Sequence, residues 1–139
     1  MKNKKILNIA SQSFILVSTL SLLSVVAMAF NNPQSVMDLV QVKLNNNDAF
    51  SSIRGIYGGA GLAISISLLY FMRKDVKLGL AFLSMLWGFY ALSRILTIVI
   101  EGSLGAFGTQ WLVIESIFFS IAFVLLLANR KIAKQDGSY

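Results

Sequence analysis

Hydrophobic residues run along this chain in long unbroken stretches rather than in alternation. Residues 6–30, 53–72, 78–100 and 110–128 are apolar or hydroxylic almost throughout. Each supplies the roughly 20 helical residues needed to cross a hydrocarbon core of about 30 Å. A fifth stretch, residues 34–44, reads differently: Val36, Leu39, Val40 and Leu44 recur at helical spacing, with Gln34, Asp38, Gln41 and Lys43 between them. It is too short to span a membrane and predicts an amphipathic helix lying at the interface. The pattern therefore predicts an all-α fold: an integral membrane four-helix bundle forming a single transmembrane domain over residues 1–139, with an interfacial helix over 34–44 between spans one and two.

The connectors agree with that division. Asn32-Pro33 offers a cap and a first helical residue for the short helix, and the polar run 45–48 reads as a turn. Residues 73–77 are a link so short that spans two and three must form an antiparallel hairpin. Residues 101–109, with Gly102, Gly105 and Gly108, read as a turn between spans three and four. Lys2, Lys4 and Lys5, the apolar run behind them and Ala27-Met28-Ala29 also imitate a cleavable secretory signal. The length of the apolar run favours a retained helix instead.

Composition fixes the solvent. With 139 residues, 56 % of them hydrophobic and 13 % charged, and a mean hydropathy of +0.72, the chain is too apolar for water. The net charge of +6 would suggest nucleic acid in a soluble protein, but its distribution gives another meaning. Lys2, Lys4, Lys5, Arg73, Lys74, Lys77, Arg130, Lys131 and Lys134 flank the apolar stretches and fall on one side if the chain crosses four times. This predicts N- and C-termini in the cytoplasm and no nucleic-acid partner. Cysteine and histidine are absent from the sequence, which excludes disulfides, thiol nucleophiles and imidazole chemistry. No metal site and no cofactor is expected.

Four ionisable residues fall within or at the ends of the spans: Arg54, Arg94, Glu101 and Glu115. At about 1.5 Å rise per residue, Arg94 lies roughly 9 Å below the outer end of its span and Glu115 roughly 7 Å below the start of its own. Charges at such depth are costly and normally find a partner inside the protein. Helical spacing places Arg54, Tyr57, Gly58, Gly61 and Ser65 on one stripe. Ser84, Trp87, Tyr90, Arg94, Thr97 and Glu101 form a second, and Trp111, Glu115 and Phe118 a third. The candidate cluster is thus Arg54, Tyr57, Trp87, Tyr90, Arg94, Glu101, Trp111 and Glu115, serving either as a ligand pocket or as a structural ion pair with rings around it. Gly55 and Gly59 form a GxxxG pair suited to close helix packing, which Gly61 and Ser65 extend.

The segment Arg54-Gly55-Ile56-Tyr57-Gly58-Gly59, the Ser93-Arg94 pair and Glu115 resemble the uncharacterised bacterial membrane family called domain of unknown function 4345, over about residues 48–128. The resemblance implies a four-span bundle in the bacterial cytoplasmic membrane and no particular activity. The resulting expectation is a non-catalytic protein with no catalytic residue. Its outer polar cluster binds a lipid-like or amphipathic small molecule or a partner transmembrane helix, and membrane lipids, a second copy or another membrane protein are its partners. Two alternatives stand beside it: a membrane-embedded enzyme using Glu101 or Glu115 as general acid with Arg94 stabilising charge, and a subunit of a transporter.

Overall fold

The computed structural model describes residues 2–135, with side chains for residues 3–133; the side chains of Lys2 and Lys134 therefore lie outside the described residues. The elements are α1 (Lys2–Asn31), α2 (Pro33–Asp38), α3 (Asn47–Ile53), a π-helical stretch (Arg54–Ala60), α4 (Gly61–Lys74), α5 (Val76–Glu101) and α6 (Ala106–Gln135). No strand occurs among the described residues. Among the described residues four helical rods are long and apolar enough to cross a membrane: Asn3–Asn31, Asn47–Lys74, Val76–Glu101 and Ala106–Ala133. The chain is an all-α, multi-pass membrane protein. Its outward surface carries large apolar side chains such as Val17, Leu20, Ile66, Val99, Ile100 and Val124, which only lipid or another apolar surface can accommodate in such number.

The chain packs as two compact units, Leu16–Tyr70 on the one hand and Met1–Ile15 with Phe71–Tyr139 on the other. In the first, Ala29, Val36 and Met37 form a small core lined by Val25, Met28, Leu44 and Ile53. Asn32 caps α2 by accepting from the Gln34 amide at 3.1 Å, and Pro33 opens the helix.

The interfacial helix expected over 34–44 is shorter than its periodicity suggests. It stops at Asp38, and Gln41 adopts a left-handed φ of 59°, which an α-helix cannot continue through. The amides of Val40 and Val42 turn back to the Met37 carbonyl and that of Gln41 to Asp38, and the Gln34 side chain ties the segment down: Nε2 donates to the Asp38 carboxylate and to the Val42 carbonyl, and Oε1 accepts from the Leu44 amide at 2.9 Å. Leu44 joins the core through this clamp rather than through a helical face, while Val40 and Gln41 are both exposed.

The second span also starts earlier than residue 53. Asn46 accepts from the Ala49 amide at 2.8 Å and caps α3, so the polar run 45–48 opens a helix rather than forming a free turn. Next comes the π-helical stretch, whose i→i+5 bonding adds a residue to each turn. The expected stripe of Arg54, Tyr57 and Gly58 divides here: Gly58 is buried while Arg54 and Tyr57 are exposed. The close approaches are at Gly58, where an added Cβ would lie 3.0 Å from the Phe30 ring, and at Gly61, 2.8 Å from Val26. Gly55 and Gly59, the expected packing pair, have nothing within 4 Å.

The other unit is built on α5 and α6, with buried Phe14, Ile15, Leu80, Leu83, Trp87, Ala122 and Leu126. Gly79 admits Ile15 and Phe71: a Cβ there would stand 2.9 Å from the Ile15 Cδ1 and 3.2 Å from the Phe71 Cβ. The five-residue link expected over 73–77 contracts to Asp75 alone, whose carboxylate caps α5 at the Leu78 amide, 3.0 Å away. The turn expected over 101–109 contracts to residues 102–105. Gly102 terminates α5 with φ +100°, a conformation that favours glycine. Gly108 lies inside α6, whose helix also runs on past the expected end at residue 128 to Gln135.

Candidate functional site

Arg94 lies two turns from the C-terminal end of α5, and Glu115 lies between the second and third turns of α6. The four-residue turn between these helices places the two residues at the same level. The guanidinium Nε donates to one Glu115 carboxylate oxygen at 2.6 Å and Nη2 donates to the other at 2.9 Å. This two-pronged geometry is the strongest form of the arginine–carboxylate interaction. Its two members differ in environment: the Arg94 side chain is 23 % exposed and that of Glu115 only 3 %. An isolated carboxylate so buried would carry a large desolvation penalty, which the double hydrogen bond offsets.

A layer of rings lies toward the N-terminal end of α5 from the pair. Phe118, three residues beyond Glu115, meets the Trp87 ring edge-on at 5.0 Å and the Phe14 ring at 5.5 Å, and Trp87 in turn meets Tyr90 at 6.1 Å. The nearby hydroxyls turn back on their own helices. Ser84 donates to the Leu80 carbonyl, Ser93 to Tyr90, Thr97 to Ser93 and Ser116 to Leu112. None of these four carries a hydroxyl aimed at Glu115, so the pair is a self-contained polar element with an aromatic floor.

The remaining candidates are distributed unevenly around this element. Glu101 is exposed at the end of α5. Trp111 is half-buried and packs against Phe107 at 6.1 Å. Arg54 and Tyr57 belong to the Leu16–Tyr70 unit and are exposed there. Of the eight, the structure thus joins Arg94 to Glu115, and Trp87 to Tyr90. Phe14 and Phe118 complete the ring layer. Phe14 had no signal of its own in an apolar run, whereas Phe118 shares the Glu115 stripe.

A second polar region was not legible as a site in the sequence. At the opposite end of α5 an open cavity of about 700 Å³ is lined by Lys4, Lys5, Arg73, Lys74, Lys77 and Asn129, among others. Beside it Asn129 donates to the buried Ser11 hydroxyl at 2.9 Å, and Gln12 donates to the Met72 carbonyl at 3.2 Å.

Comparison with known families gives a match over residues 10–126 to the family described as Domain of unknown function (DUF4345). The chain belongs to that family. The DUF4345 match begins well before residue 48, where the resemblance read from motifs started, and takes in most of α1 as well as Arg94 and Glu115. No curated protein and no solved structure matches the chain.

Proposed function

We propose that this DUF4345 protein acts by binding rather than by catalysis, and that Arg94, held by Glu115, receives the polar head of an amphipathic molecule or a polar group of a partner transmembrane helix. The observation that carries this reading is the unequal exposure of the two paired residues. Of the five guanidinium N–H groups, Glu115 takes two, and the donors left over lie on the side chain that is still 23 % exposed. A fixed donor edge bordered by rings suits a ligand with an acceptor head and an apolar body. The same geometry weighs against Glu115 as the general acid of the enzyme alternative, because both of its oxygens accept from Arg94.

The test uses the full chain purified in detergent, with its co-purifying small molecules extracted and weighed by mass spectrometry. Wild-type protein is expected to carry an amphipathic species that the Arg94→Met/Glu115→Leu double variant loses while remaining folded. Identical extracts from the two proteins would contradict the reading.

A further inference from the structure

The cavity at the other end of α5 has a charge balance that calls for an occupant. Two of its cations, Lys4 and Lys5, come from α1; Arg73 and Lys74 end α4; Lys77 begins α5. Among the described residues the one acid in its lining is Asp75, which caps α5 and offsets a single positive charge. Setting Lys4 aside, four cations, Lys5, Arg73, Lys74 and Lys77, converge from three helices on about 700 Å³ and produce a positive potential that an anion relieves. Cationic pockets at the ends of transmembrane helices are suited to the phosphates of lipid headgroups.

The rest of the lining narrows the ligand. Leu7, Val76 and Ile132 give the cavity an apolar wall next to its cations. A water-soluble phosphate has no use for that wall, whereas the glycerol and first acyl carbons of a lipid do. One phosphodiester carries a single negative charge, too few for this number of cations. We propose that the cavity binds the headgroup of an anionic phospholipid with two phosphodiesters, set among Lys5, Arg73, Lys74 and Lys77. This site is separate from the Arg94–Glu115 couple and does not rest on its having a ligand.

The experiment is native mass spectrometry of the full chain in neutral detergent, titrated with diphosphatidylglycerol, phosphatidylglycerol, phosphatidylcholine or inorganic pyrophosphate. Diphosphatidylglycerol is expected to bind most tightly and to be weakened by added salt. Arg73→Gln/Lys74→Gln should lower that affinity about tenfold or more, and Arg54→Gln, in the other unit, should leave it unchanged. Lys5→Gln/Lys77→Gln makes the same comparison from different elements if the first variant does not fold. Unchanged affinity in the folded variants would overturn the proposal. Equal binding of phosphatidylcholine would show an unselective lipid shell and overturn it too. Equal binding of phosphatidylglycerol would overturn the two-phosphate assignment, and full displacement by pyrophosphate would identify a soluble anion as the ligand instead.

Discussion

Arg94 and Glu115 grip each other through two hydrogen bonds, of 2.6 and 2.9 Å, yet only the arginine reaches the surface. That asymmetry divides their roles. Glu115 is the buried anchor on α6, satisfied only as long as a cation stands against it. Arg94 spans the gap from α5 and keeps part of its guanidinium outside. The couple links α5 to α6 and holds the guanidinium in place, where a lone arginine on a lipid-facing helix would snorkel toward water.

Glycine positions that look alike in the sequence should respond differently to substitution. Gly79→Leu forces a side chain against Ile15 and Phe71 and should lower stability by about 1–3 kcal/mol or more, the range for overpacked cores. Gly59→Ala meets nothing within 4 Å and should be neutral or slightly stabilising, since alanine suits a helix better than glycine. Thermal unfolding of both variants in the same detergent checks this. A loss at Gly59 as large as that at Gly79 would mean that its open face is covered by another molecule.

The flanking basic residues predict the orientation. Arg73, Lys74 and Lys77 at the α4–α5 link, Lys4 and Lys5 on α1 and Arg130 and Lys131 on α6 should all face the cytoplasm. Reporter fusions at Tyr139 and within the segment 45–48 should give cytoplasmic and external signals respectively. A cytoplasmic signal from the 45–48 fusion would reverse the assignment.

The spans were legible because twenty apolar residues in a row admit few folds other than a membrane helix, and the matching level of Arg94 and Glu115 followed from simple helical rise. What was hidden depended on departures from that regularity. In the π-helical stretch Gly58 is buried and Arg54 and Tyr57 are exposed, although 3.6-residue spacing put them on one stripe. The end of α2 is closed by turn bonds back to Met37 and Asp38 and by the Gln34 side chain, which periodicity does not register. Five of the basic residues carried a clear topological signal that masked their second property, since only the meeting of α1, α4 and α5 turns them into one cavity.

The double-mutant cycle at Arg94 and Glu115 tests the coupling on which the proposed site depends. Arg94→Met should lower stability in detergent by about 3–5 kcal/mol, because it strands the buried Glu115 carboxylate, and Glu115→Leu should cost less, because the partly exposed Arg94 can turn toward water. The double variant, with an apolar pair of similar volume, should recover most of the Arg94→Met loss. Thermal unfolding of the four proteins under one set of conditions gives the coupling directly. Strong non-additivity, with the double variant more stable than Arg94→Met alone, is the predicted result; losses that simply add would show that the two residues do not act as a pair.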